Sequence, residues 1–258
     1  MPFPNVLLTR RPLHFIYLCD CSGSMQADGK MQSLNQAIRQ SLPAMVEVSQ
    51  QNPEASIQVR VVSFADRASW HIAEPTPVDQ VLGQWVDLRE GGLTAMGDAL
   101  KLVAAALRTP PMEQRALPPV LVLISDGAPT DDFAAGLRTL KAEPWAAKAV
   151  RLAIAIGHDA DLETLQQFIG PEPGGGAAGG GLGPGGDRMP GQRSARRPLQ
   201  ANDSNTLARY IQWASTAVVG AASQPRSQIG AAPSEGNVPL PDLPPTVLDP
   251  SDASQVVW

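Results

Sequence analysis

The chain is poor in cysteine, in aromatics and in basic charge, and it has no long apolar run. Each shortage closes off a class of protein. Its two cysteines, Cys19 and Cys21, stand two apart at the end of a strand-like run, where extended geometry makes a mutual disulfide awkward. A reducing, cytoplasmic setting is therefore expected. A formal net charge of −5 at pH 7 leaves no basic field to draw phosphate backbones, so nucleic acid is not an expected partner. No apolar stretch reaches the roughly 18 residues that cross a bilayer, and no membrane span is expected. Near the start, Val6-Leu7-Leu8 is interrupted by Arg10-Arg11-Pro12, too short a run for the apolar core of a signal peptide. What remains is a chain of 258 residues, 43% of them apolar, enough for the core of one or two domains.

Strand and helix patterns alternate along the first two thirds. Leu13 to Asp20 is a short apolar, β-favouring run that ends in a carboxylate and a Gly/Ser turn, which predicts a buried strand. Leu34, Ala37, Ile38, Leu42, Met45 and Val46 recur at helical spacing and predict a helix over residues 30 to 50. A second strand is expected over Ser56 to Phe64, turning through Ala65-Asp66-Arg67 into a short antiparallel edge strand at Ala68 to Ile72. A helix over Gly97 to Leu107 follows, then strands at Pro119 to Ser125 and Ala149 to Gly157, with helices starting near Asp131 and Asp161. Continuous apolar runs such as Pro119 to Ser125 belong to central parallel strands covered on both faces. The order predicts an open, doubly wound α/β sheet, mostly parallel, with helices on both faces.

Glycine and proline collect in two places. Residues 171 to 200 hold ten Gly and five Pro and are expected to form a flexible insertion. Arg188, Arg193, Arg196 and Arg197 make it locally basic, the usual state of a solvated loop. Leu207, Tyr210, Ile211, Trp213, Ala214 and Val218 restore helical spacing, so a final helix over about 203 to 221 should dock back onto the same domain. One domain over residues 1 to 223 is expected, followed by a tail from 224 to 258 with seven Pro and no periodicity. Within the tail, Leu240-Pro241-Asp242-Leu243-Pro244-Pro245 and Val256-Val257-Trp258 combine stiffness with apolar anchors, as short peptide ligands do.

In a doubly wound sheet, ligands bind at the carboxyl ends of the strands where the strand order reverses. Three loops meet that description: Asp20-Cys21-Ser22-Gly23-Ser24, Gly91-Gly92-Leu93-Thr94, and Ser125-Asp126-Gly127. Asp20, Ser22, Ser24, Thr94 and Asp126 supply two carboxylates and three hydroxyls without histidine or thiolate. An all-oxygen set suits a hard cation such as Mg2+, with Mn2+ or Ca2+ as alternatives, rather than zinc. Alternate residues of an extended loop point the same way, so Asp20, Ser22 and Ser24 can face one ion. Such a set leaves about one octahedral position for an outside carboxylate. The bland reading is that these side chains cap helices at strand-to-helix turns, but three matched loops exceed what capping requires.

These residues resemble the metal-ion-dependent adhesion site of the von Willebrand factor type A family. The Asp20-x-Ser22-x-Ser24 loop, Thr94 after a Gly pair and Asp126-Gly127 after a central strand stand in the family's order. Gly91 to Leu100, Ser125 to Asp132 and Trp213-Ala214-Ser215 are similar to the tellurium-resistance-associated TerY-like branch. The resemblance implies a cytoplasmic, non-catalytic module that binds a divalent cation. It implies a protein partner supplying an acidic residue, with Ser/Thr kinase and protein phosphatase partners in stress signalling. Cys21, where Thr is frequent, and the Gly-rich insertion depart from the family pattern.

Other chemistries fit less well. Asp20 at the end of a first strand could serve as nucleophile of a Mg2+-dependent phosphatase or phosphotransferase of haloacid-dehalogenase type. Ser22 stands where such enzymes place a second acid, and no lysine follows in a matching context. A serine hydrolase lacks its Gly-x-Ser-x-Gly turn here. A zinc site on Cys19 and Cys21 lacks a second ligand pair, and His14, His71 and His158 lie on separate elements without ligand spacing. Asp98 reads as a first-turn helix acid or as a group behind the metal ligands, with the helix role favoured. Asp131 and Asp132 read as acids at the start of the following helix, or as an acidic rim.

Overall fold

The computed structural model describes residues 10–170 and 197–222. Along them run β1 (Arg11–Asp20), a 3-10 segment (Gly23–Gly29), α1 (Lys30–Gln51), β2 (Ala55–Phe64), β3 (Ala68–Pro77), α2 (Val78–Gln84) and α3 (Met96–Ala106). Then follow β4 (Val120–Ser125), α4 (Phe133–Ala142), α5 (Pro144–Lys148), β5 (Val150–Ile156), α6 (Leu162–Ile169), β6 (Leu199–Ala201) and α7 (Ser204–Trp213). A π-helical stretch (Ala214–Val218) carries α7 into α8 (Val219–Ala222). The expectations for Val6-Leu7-Leu8, for the insertion between 171 and 196, and for the tail from 224 lie outside the described residues.

Six strands form one sheet in the order β3-β2-β1-β4-β5-β6. All neighbours are parallel except β2 and β3, which pair antiparallel through the expected hairpin. The alternation of each parallel strand sorts its side chains between two cores. Phe15, Tyr17, Val122, Ile124, Leu152 and Ile154 face α1 and α7, where Leu34, Ile38, Leu207 and Ile211 complete the packing. Ile16, Leu18, Leu121, Leu123, Ala153 and Ala155 face α3, α4 and α6, meeting Leu100, Val103, Leu140 and Phe168. Strands buried on both faces explain why β1 and β4 read as continuous apolar runs.

Several details differ from the sequence reading. β3 extends to Pro77 rather than stopping near Ile72, with register irregularities between Val59 and Val62 of its partner. Leu199 and Gln200 lie inside the segment assigned to the insertion, yet with Ala201 they pair parallel with β5 as an edge strand. Helices α2 and α5 were not anticipated, and α4 begins at Phe133 with Asp132 as its cap.

Candidate metal site

The strand order reverses between β1 and β4: the chain leaves β1 toward β2 on one side and returns to β4 on the other. Their carboxyl ends carry Asp20 and Ser125-Asp126. Asp20 is buried, accepts a hydrogen bond at Oδ1 from the Ser22 amide (2.8 Å) and one at Oδ2 from the Ser125 hydroxyl (2.5 Å). The Ser22 and Ser24 hydroxyls lie 2.9 Å apart, and Ser24 Oγ donates to Asp126 Oδ1 at 2.7 Å. Four of the five expected ligands are thereby brought together by direct bonds. Ser24 and Gly23 are exposed while Asp20, Ser22 and Asp126 are buried, so the cluster opens to solvent on one side.

Thr94 reaches the same end of the sheet through its backbone. Gly23 N–H donates to the Gly92 carbonyl (3.0 Å), and Gly91 N–H donates to the Cys21 carbonyl (2.8 Å). Asp66, in the β2–β3 turn, accepts from the Leu93 amide, and Ala95 N–H donates to the Ala65 carbonyl. On the other side, Thr130 N–H donates to the Thr94 carbonyl and Thr130 Oγ1 accepts from the Thr94 amide, both at 3.0 Å. Thr94 itself is buried.

Asp131 departs from expectation. Its carboxylate does not serve its own helix; Oδ1 and Oδ2 accept from the Gly97 and Asp98 amides, each at 2.8 Å, at the positive end of α3. It ties the loop after β4 to the loop before α3, whereas Asp132 caps α4 by accepting from Ala135 N–H. Asp98 takes the helix role, pairing with Lys101 on the surface.

Sequence reasoning missed Lys30. Its ammonium donates to Asp126 Oδ2 at 2.9 Å and stands 3.6 Å from Asp159 Oδ1. The available signal was its place as first residue of α1, where the helix dipole disfavours a cation that has no acidic partner.

Burial raises the Asp20 carboxyl above its usual value, with the Asp126 charge adding to the effect and the bonds from Ser125 and Ser22 opposing it. Burial also pushes the Cys21 thiol up to about 12 and raises the Cys19 thiol well above its usual value, which disfavours zinc-binding thiolates. Among the described residues no three His, Cys, Asp or Glu side chains stand together, so a coordination sphere here would draw on hydroxyl, carbonyl or water oxygens as well. The two carboxylates and adjoining serine hydroxyls fit a hard divalent cation in that respect. His14 pairs with Glu113, His71 with the Val86 carbonyl, and His158 is exposed.

Residues 15–128 match the model of the von Willebrand factor type A domain. Among solved structures, proximal thread matrix protein 1 from the mussel byssus is similar at a TM-score of 0.57 and 18% identity. The match covers 80% of this chain and 47% of that one. A further structure of the mussel protein, with the same figures, has zinc in its MIDAS motif. A von Willebrand factor type A protein from Catenulispora acidiphila matches at a TM-score of 0.51 and 17% identity, covering 81% of this chain and 42% of that one. The chain thus spans less than half the length of these proteins. No curated protein matches. Among the described residues no helix is long and apolar enough to cross a membrane.

Proposed function

We propose that this chain is a non-catalytic, metal-dependent protein-binding module. Asp20, Ser22, Ser24, Thr94 and Asp126 would hold one divalent cation, and a carboxylate of a partner protein would complete its coordination. The observation that carries this reading is the bonded run from Asp20 through Ser22 and Ser24 to Asp126 at the point where the strand order reverses. When bound, the cation supplies an electrophilic docking point for an anionic oxygen. The zinc in the mussel protein's motif supports an ion at this place in the fold, and the all-oxygen donors here favour Mg2+, with Mn2+ or Ca2+ able to substitute.

The surroundings suit an acidic partner. Leu93, 59% exposed, offers an apolar contact one residue from Thr94. Beside the site, Cys21, Arg67, His71, Asp87 and Arg89 line a cleft of about 390 Å3; Asp87 pairs with Arg39, and the exposed Arg67 and Arg89 guanidinium groups would favour acidic residues flanking the docked carboxylate. The resemblance to the TerY-like branch supports a cytoplasmic role in tellurium-resistance-type stress signalling, with a Ser/Thr kinase and a protein phosphatase as partners.

Phosphoryl transfer by Asp20 is less well supported. Its carboxylate is buried with both oxygens engaged, and Ser22 offers no second acid. Affinity capture in Mg2+ and in EDTA, with wild type and Asp20→Ala in parallel, tests the proposal. Partners should be lost on chelation and in the variant, while phosphatase activity with Mg2+ should be absent. Retention at this face without metal, or turnover abolished by Asp20→Ala, would contradict it.

A further inference from the structure

The candidate site already contains a cation. Lys30 is only 4% exposed, and its ammonium is held between Asp126, whose side chain is fully buried, and Asp159, whose side chain is 72% exposed. Helix stability does not explain a lysine at the first position of α1, where the dipole opposes it. Asp126 does explain it: without a positive partner, a buried carboxylate is strongly destabilising. Both Asp126 oxygens are taken, Oδ1 by the Ser24 hydroxyl and Oδ2 by Lys30. A divalent ion drawn to Asp126 meets an ammonium already 2.9 Å from its oxygen. The way toward Asp159 is open because residue 157 is glycine; a Cβ there would stand 3.2 Å from Lys30 Nζ and 2.9 Å from Asp159 Oδ1.

We propose that Lys30 is an exchangeable counter-cation of the metal site. It neutralises Asp126 when the divalent ion is absent and passes to Asp159 when the ion enters. This inference rests on the metal-binding reading above and adds a regulatory element to it: loading is an exchange of cations rather than simple filling. The empty protein keeps Asp126 paired and folded, and divalent affinity is lowered until the free ion is abundant enough to displace the ammonium. Asp159 acts only through Lys30, as the acceptor that eases the displacement.

Calorimetric titration of the full chain with Mn2+ distinguishes the two levels of the argument. Lys30→Met removes one positive charge next to Asp126 while keeping the alkyl stem, and should tighten Mn2+ binding about tenfold. Asp159→Asn should weaken it several-fold in the wild-type background and have no effect once Lys30 is Met. Opposite effects of two neighbouring residues, with that dependence, are not produced by a lysine that merely anchors α1. Equal or weaker binding by Lys30→Met, with wild type binding normally, overturns the exchange and leaves the metal reading standing. Failure of every variant and of wild type to bind Mn2+ overturns both. Should Lys30→Met not fold, the exposed Asp159→Asn decides alone, and unchanged affinity there overturns the exchange.

Discussion

His14 shows how burial sets the chemistry of a single residue. It lies in β1 with 4% exposure, and Nε2–H donates to Glu113 at 2.7 Å. Burial lowers its pKa below the usual 6.5, while the bond and charge of Glu113 oppose the shift. A histidine whose folded value is depressed contributes stability that is present above pH 6.5 and lost as pH falls through the lowered value. Wild type should therefore lose stability below about pH 6.5 more steeply than His14→Gln, as read from urea midpoints between about pH 7.5 and 5. Parallel profiles for the two proteins would refute this. At the same scale, the clustering of Asp20, Ser22, Ser24 and Asp126 was legible because three of them alternate along one loop and the fourth directly follows a central strand. Lys30 and Asp131 were not, since the group each one serves lies 33 to 96 residues away in sequence. Local pattern gives Asp131 to the helix beside it, and only the packing of α3 against α4 assigns it to the other.

That packing is unusually close because glycines face each other. A Cβ on Gly136 of α4 would come within 2.3 Å of the Gly97 carbonyl oxygen in α3, and one on Gly97 within 2.5 Å of the Asp132 carbonyl oxygen. Backbone against backbone leaves nothing flexible to give way. Gly136→Ala should destabilise the fold by about 1–3 kcal/mol through overpacking, visible as a lower urea midpoint, despite the higher helix propensity of alanine. An unchanged midpoint would show that the helices can separate freely. Because Asp131 ties the start of α3 to the loop before α4 and Thr130 in that loop holds Thr94, this variant should also weaken Mn2+ binding. Long elements such as α1 and β4 were legible from period and apolar run. Helix α2, with seven residues, is too short to display a period, and β6, with three, follows a Gly-rich stretch that masks it. Both are stabilised by neighbours rather than by local propensity.

For the whole molecule, topology makes the site. Strands β1 and β4 are adjacent in the sheet though about a hundred residues apart in the chain, and their parallel pairing brings Asp20 beside Ser125. The β2–β3 hairpin and the loop between β4 and α4 then hold the Thr94 loop from opposite sides. The doubly wound order and antiparallel edge were readable from the alternation of strands and helices, and with them the end of the sheet where ligands bind. What the pattern did not reveal was the charge balance at that end, which depends on a side chain entering from α1. The most direct test of the account is titration of the purified full chain with Mn2+, followed by isothermal calorimetry, on wild type and Asp20→Asn. The account expects one ion per wild-type chain and at least a tenfold loss of affinity in the variant, in line with removing one ligand charge. Absence of binding by wild type at millimolar Mn2+, or equal binding by both proteins, would contradict it.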